Sequence, residues 1–165
     1  ILYNVPGRTG VSLAPETVAR LARIPNIVAI KEASGSLDQV DQILGLCNLT
    51  VLSGEDSLTM PMMALGAKGA ISVTANVVPE LHREMVHAML SGDLEQGQEL
   101  HRRLYPLSKA LFLETNPIPV KTALGMMGLI RPELRLPLCE MGKENREKLR
   151  KVLRDLNVIA RQGTK

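Results

Sequence analysis

The chain has 165 residues, 45% of them apolar and 22% charged, with a net charge of +3, the profile of an ordinary globular protein, either one domain or part of a larger one. Its only aromatic residues are Tyr3, Tyr105 and Phe112, so the late basic run Arg146, Lys148, Arg150, Lys151 and Arg154 has no stacking platforms beside it and reads as a solvated helix face, with nucleic acid excluded as a partner. No apolar run approaches the roughly 18 residues of a membrane span, and no basic-then-apolar leader opens the chain.

The first residues, Ile1-Leu2-Tyr3-Asn4-Val5, read as the inside of a strand and include no initiator Met, so the sequence is expected to continue upstream. A turn signal follows at Pro6-Gly7-Arg8-Thr9-Gly10. The segment from Pro15 to Ile24 then places Val18, Leu21, Ala22 and Ile24 near one helical face. Ile27-Val28-Ala29-Ile30 is a continuous apolar run, expected of a parallel strand covered on both sides.

Ser36 or Asp38 is placed to cap the next helix, whose apolar stripe is Leu37, Val40, Ile43 and Leu44. Leu49–Leu52 is the third strand expected, running into Ser53-Gly54-Glu55-Asp56. A helix over Ser57–Leu65 stops at Gly66, and Ala70–Val73 is the fourth strand expected, ending at Thr74-Ala75-Asn76.

Strand and helix alternating at intervals of about 20 to 25 residues imply a parallel sheet with right-handed crossovers. Doubly wound sheets and eight-stranded barrels both fit, but no Gly-rich dinucleotide fingerprint follows a strand. A barrel needs eight strands and about 250 residues, so this chain supplies half of one. From Pro79 to Val158 the pattern is helical, with breaks at Ser91-Gly92-Asp93, Asn116-Pro117-Ile118-Pro119 and Arg131–Pro137. The stripes Leu81, Met85, Ala88, Met89 and Leu149, Val152, Leu153, Leu156 lie at helical spacing, and the methionines are core filler.

The expected fold class is therefore α/β, the C-terminal half of a TIM (β/α)8 barrel with about four βα units, followed by a small C-terminal helical domain. Residues 1–92 form the first part and residues 93–165 the second. Cys47 and Cys139 are far apart and outside metal-ligand spacing, and are expected to be buried free thiols of a cytosolic protein.

In a barrel, residues at the C-terminal strand ends converge on one mouth. Tyr3-Asn4, Lys31-Glu32, Ser53-Gly54 and Thr74-Ala75-Asn76 fall there. A lysine drawn towards a low-dielectric interior loses part of its preference for the charged state, and the free amine attacks carbonyls. Taken alone, a lysine leaving the strand into a salt bridge, for instance with Glu32, is the commoner reading of Lys31. Tyr3 can relay protons, although a packed, hydrogen-bonded tyrosine is the commoner case. Arg8 suits a bidentate grip on a carboxylate, although surface arginines are common. Glu55 and Asp56 would repel a phosphate. His82, His87 and His101 show no metal-ligand pattern, so neither a metal nor a cofactor is assigned, and a protonated imine would itself serve as the electron sink.

Five segments in order carry a resemblance: Tyr3-Asn4-Val5-Pro6-Gly7-Arg8-Thr9-Gly10, Ile30-Lys31-Glu32-Ala33, Ser53-Gly54-Glu55-Asp56, Gly69-Ala70-Ile71-Ser72-Val73-Thr74-Ala75-Asn76 and Asn116-Pro117-Ile118-Pro119-Val120-Lys121. Together they resemble the dihydrodipicolinate (4-hydroxy-tetrahydrodipicolinate) synthase family over essentially the whole chain. The resemblance implies that Lys31 forms an imine with pyruvate and that Tyr3 shuttles protons as part of a catalytic triad. It implies that Arg8 binds the carboxylate of aspartate 4-semialdehyde, and that Gly54 and Ile71 line the pyruvate pocket through their backbone. It also implies a cytoplasmic homotetramer serving diaminopimelate and lysine biosynthesis. The family's triad threonine and a second tyrosine belong to the other half of the barrel, so the 165 residues alone are expected to be inactive. Two alternatives stand: a sister pyruvate aldolase acting on sugar acids, and a non-catalytic half-barrel whose exposed strand edges pair with another half. The Arg8-Thr9-Gly10 step favours the synthase, because a carboxylate-bearing aldehyde needs a cation there.

Overall fold

A computed structural model describes residues 1–160; residues 161–165, the end of the expected helical domain, lie outside the described residues. The chain separates into two compact units, residues 1–72 with 85–98, and residues 73–84 with those from 99 onward.

The first unit is built on three parallel strands in the order β1 (Leu2–Asn4), β2 (Ala29–Glu32) and β3 (Thr50–Ser53). Between β1 and β2 lie a single helical turn, α1 (Pro6–Thr9), and α2 (Pro15–Leu21). The expected turn at Pro6–Gly10 is thus a short helix. Pro6 starts it, and Gly10 ends it at φ 73°, a left-handed conformation that glycine adopts without penalty. Helix α3 (Leu37–Leu46) connects β2 to β3, and its N-cap is Ser36, whose hydroxyl accepts from the Gln39 N–H at 3.2 Å. After β3 comes a 3-10 turn at Asp56–Leu58, then α4 (Thr59–Leu65), closed by Gly66.

One face of the sheet is sealed by these helices. Ile30 and Val51 are fully buried against Val18, Val40, Ile43, Met62 and Met63, so the apolar stripes read from the sequence point into this core.

Several strand boundaries move, and β3 runs over Thr50–Ser53 where Leu49–Leu52 is expected. The second strand starts at Ala29 rather than Ile27, because pairing with β3 begins at Ala29 and with β1 at Ile30, and Val28 is left 61% exposed. Lys31 and Glu32 therefore lie within the strand. The fourth strand expected at Ala70–Val73 is reduced to one bridge, Ser53 to Ala70, with the Ser53 N–H donating to the Gly69 carbonyl and the Ile71 N–H to the Ser53 carbonyl, both at 2.8 Å. The ladder goes no further because Thr74–Asn76 already turn into a 3-10 helix.

The second unit is helical. It takes residues from α5 (Pro79–Ser91) and α6 (Leu94–Ala110), and contains α7 (Ile118–Met126) and α8 (Lys143–Asp155). Its core joins Leu107, Leu111, Ile118, Ala123, Met141, Leu149 and Leu153. The break expected at Arg131–Pro137 is longer, with no helix from 127 to 142. Across it, the Glu114 carboxylate accepts from the Gly142 N–H at 3.0 Å and from Asn145 Nδ2 at 2.9 Å, capping α8, whose N-cap glycine has no side chain to do so. Of the expected basic face, Arg146, Lys148 and Lys151 are exposed on α8, where Lys148 pairs with Glu144 and Lys151 with Asp155 at 2.7 Å each, whereas Arg150 and Arg154 are half-buried. Cys47 is partly buried, whereas Cys139, expected inside, is exposed on the 127–142 segment, which has no helix to turn it inward. No helix among the described residues is long and apolar enough to cross a membrane.

Candidate active site

Strand alternation sorts the residues at the C-terminal end of the sheet onto two faces. In register, Tyr3 sits opposite Lys31 and Lys31 opposite Leu52, while one step on Asn4 faces Glu32 and Glu32 faces Ser53. The first row lies on the face away from the helices. The second row is turned into the helix-covered side, where Asn4, Glu32 and Ser53 are at most 2% exposed.

On the first face the Lys31 Nζ lies over the Tyr3 ring, 4.3 Å from its centroid. Such a contact is worth about 0.5–1 kcal/mol where it is open to solvent, and Tyr3 is 47% exposed. The stem of Lys31 runs beside Gly54. A methyl group at 54 would come within 2.9 Å of Lys31 Cε and 3.0 Å of its Cγ. Glycine is needed here for space, because a side chain would occupy the path of the lysine.

The salt-bridge alternative for Lys31 is not what the structure shows. Glu32 points to the opposite face, and its carboxylate accepts from the Ser34 N–H at 2.7 Å, from Asn4 Nδ2 at 2.9 and 3.2 Å, and from Gln39 Nε2 at 3.3 Å. A buried carboxylate without such donors would be costly. Lys31 itself has no carboxylate within ion-pair distance among the described residues.

Of the residues expected to act, the structure brings Tyr3, Lys31 and Gly54 together. Arg8 lies exposed in the last turn of α1, four residues beyond the end of β1. Ile71 lies at the sheet edge next to β3, 40% exposed. The N–H groups of Gly54 and Ile71 are already used, donating to the Glu32 carbonyl at 2.7 Å and the Ser53 carbonyl at 2.8 Å. Any backbone contact they offer a ligand is therefore through their carbonyls. Among the described residues no group of three or more His, Cys, Asp or Glu side chains is arranged to hold a metal.

The Asn4–Glu32–Gln39 network was missed in the sequence. Its signal was there: Asn4, Glu32 and Ser53 each follow by one residue a strand position on the open face, and alternation sends all three inward.

Parallel strands joined by helical crossovers, with a lysine on the open face at their C-terminal end, form part of a (β/α)8 barrel. The profile of the Dihydrodipicolinate synthetase family matches residues 1–156. A 4-hydroxy-tetrahydrodipicolinate synthase of Thermodesulfovibrio yellowstonii is 57% identical over 161 residues, covering 96% of this chain and 55% of the relative. One from Methanothrix thermoacetophila is 61% identical over 156 residues, covering 93% and 53%. Among solved structures, dihydrodipicolinate synthase from Aquifex aeolicus superposes with a TM-score of 0.93 at 50% identity, over 94% of this chain and 54% of its own. The chain belongs to the dihydrodipicolinate synthetase family. It spans about half the length of the curated relatives it matches.

Proposed function

We propose that the complete protein condenses pyruvate with L-aspartate 4-semialdehyde through an imine on Lys31, giving 4-hydroxy-tetrahydrodipicolinate for the diaminopimelate and lysine pathway. The observation that carries this reading is the Lys31 amine on the open face, held over the Tyr3 ring at 4.3 Å and turned away from the Glu32 carboxylate. An amine not bound in an ion pair is available to add to a carbonyl.

In this mechanism the Lys31 nitrogen adds to the keto carbon of pyruvate, and water leaves to give the imine. Tyr3 takes part in moving the methyl proton that converts imine to enamine. The enamine carbon then attacks the aldehyde, and the amine of the second substrate displaces Lys31 as the ring closes. Arg8 binds the distal carboxylate by charge-assisted hydrogen bonds. Gly54 leaves room for the lysine, and Gly54 and Ile71 offer carbonyls to the pyruvate pocket. As part of the same proposal, residues 1–92 belong to the barrel and residues 93–165 to a helical domain, the whole enzyme is a cytoplasmic homotetramer, and the 165 residues alone are inactive.

The test is borohydride reduction of the complete enzyme with pyruvate, followed by peptide mapping. A stable adduct should appear on Lys31 and not on Lys68, Lys109 or Lys121. Lys31→Arg should abolish it, since a guanidinium stays protonated and cannot be the nucleophile. An adduct on another lysine, or one that survives in Lys31→Arg, would overturn the mechanism.

A further inference from the structure

We infer that Glu32, Asn4 and Gln39 form a positioning clamp that holds the Arg8 loop in place and so governs capture of the second substrate. This inference rests on the functional reading above.

The hydrogen bonds meet at one residue, Leu13. Asn4 Oδ1 accepts from the Leu13 N–H at 3.0 Å, and Gln39 Nε2 donates to the Leu13 carbonyl at 2.9 Å. Both polar groups of Leu13 are thereby gripped by side chains from other elements. Asn4 and Leu13 bracket the segment that carries Arg8: Asn4 is the last residue of β1, and Leu13 precedes α2. The loop is thus fixed at its two ends, while Arg8 on the one-turn helix between them stays exposed.

The Glu32 carboxylate organises the two gripping side chains. Its Oε2 accepts from Asn4 Nδ2 at 2.9 Å and from Gln39 Nε2 at 3.3 Å, and its Oε1 accepts from Asn4 Nδ2 at 3.2 Å and the Ser34 N–H at 2.7 Å. An ionised carboxylate only accepts, so it orients both amides with their NH2 groups towards itself. That choice fixes Asn4 Oδ1 towards the Leu13 N–H. A second proton on Gln39 Nε2 is left for the Leu13 carbonyl. A glutamine at position 32 would present an NH2 group to donors and break this polarity. Glu32 is 2% exposed and Asn4 1%, so nothing from solvent replaces the lost bonds. Neither residue lies on the face that holds Lys31 and Tyr3, so the clamp acts through the loop and not on the reacting atoms.

The experiment uses the complete enzyme and the variants Gln39→Ala, Glu32→Gln, Arg8→Ala and the double variant Arg8→Ala/Gln39→Ala. Gln39→Ala removes the hold on the Leu13 carbonyl and leaves Glu32 with Asn4 and Ser34, so it stands if Glu32→Gln fails to fold. The KM for aspartate semialdehyde should rise about five- to tenfold, the size of a lost hydrogen bond, while half-saturation of borohydride trapping by pyruvate is unchanged. In the Arg8→Ala background the same substitution should change kcat/KM less than about twofold, because residues acting through one another are not additive. Hydrogen exchange at residues 8–13 should quicken in Gln39→Ala, with β2 unaffected. Effects that multiply independently in the double variant, or a pyruvate half-saturation that shifts in step with the semialdehyde KM, would overturn the clamp. Failure of the unaltered enzyme to form the Lys31 adduct would instead overturn the functional proposal. The exchange measurement then still decides whether Gln39 holds the loop.

Discussion

Replacing Gly54 with alanine probes the placement of Lys31 directly. An ideal Cβ at position 54 would lie 2.8 Å from Ala33 Cβ, 2.9 Å from Lys31 Cε and 3.0 Å from Lys31 Cγ. Carbon atoms pack at about 3.5–4.0 Å, so each contact must open by roughly 0.5–1 Å. Ala33 cannot yield easily. Its Cβ is one bond from a backbone whose N–H donates to the Asn4 carbonyl at 2.9 Å. Lys31 has a long flexible stem and relieves its own two contacts by swinging off the Tyr3 ring, while the Ala33 contact, the closest of the three, opens only by a shift of the backbone. Overpacking of this kind costs about 1–3 kcal/mol, and the rigid Ala33 contact keeps the cost within that range. For reaction the displacement matters more, since misplacing a reacting atom by about 1 Å costs on the order of a hundredfold. The complete Gly54→Ala enzyme should therefore unfold in urea with a loss of about 1–3 kcal/mol, and form the pyruvate adduct about a hundredfold more slowly when single-turnover mixtures are quenched with borohydride. Adduct formation at the unaltered rate would refute the inference that Gly54 reserves the path of the lysine.

Other outcomes follow from the same geometry. Arg8→Ala in the complete enzyme should lower kcat/KM for the semialdehyde by roughly ten- to a hundredfold, the value of a charged hydrogen bond, with little change in pyruvate KM; an unchanged semialdehyde parameter would remove Arg8 from that role. Glu114→Ala takes away the cap of α8 and should cost about 1 kcal/mol, visible as faster hydrogen exchange in the first turn of that helix; unaltered exchange there would show that the cap is dispensable. Burial, and after it repulsion from Arg102, hold His101 below the usual histidine range. The unfolded chain then binds this proton more readily than the folded one, so the stabilising contribution is present above about pH 6.5 and is lost as pH falls. His101→Gln should flatten the decline in thermal stability between roughly pH 7 and 5, and an unchanged slope would contradict the assignment.

Much of the first unit was legible because its signals are local. The apolar period gave α3 and its stripe, Ser36 gave the cap, and Gly66 the stop. The errors lie where a neighbour decides. Ile27 and Val28 have the composition of a strand, but a strand exists only where partners pair with it, and Leu2 and Thr50 begin that pairing at Ile30 and Ala29. Ala70–Val73 has equally good composition and makes only one bridge. Cys139 was expected inside because free cysteines usually are. It lies on a segment without regular structure, where no periodicity orients it. Tyr3 and Lys31 were legible as a pair because both close an apolar strand run. The register that sets them opposite each other came from the sheet.

The adjacent residues Lys31 and Glu32 show what alternation contributes to the chemistry proposed here. Side by side in sequence, they would pair if both reached the same solvent, and an ion pair stabilises the ammonium over the free amine. The sheet prevents this by sending the carboxylate to the helix side and the amine to the open side. Burying the carboxylate alone would be costly, and the cost is offset by neutral donors, two side-chain amides and one backbone N–H. Among the described residues the Lys31 amine rests on an aromatic face, a weak contact, and in the proposed mechanism it leaves that face to add to a carbonyl. A lysine locked to Glu32 would have to break a charged pair before each turnover. In the proposed mechanism the two-sided strand therefore supplies a fixed scaffold and a nucleophile from consecutive residues, and neither role would survive a shift of β2 by one position.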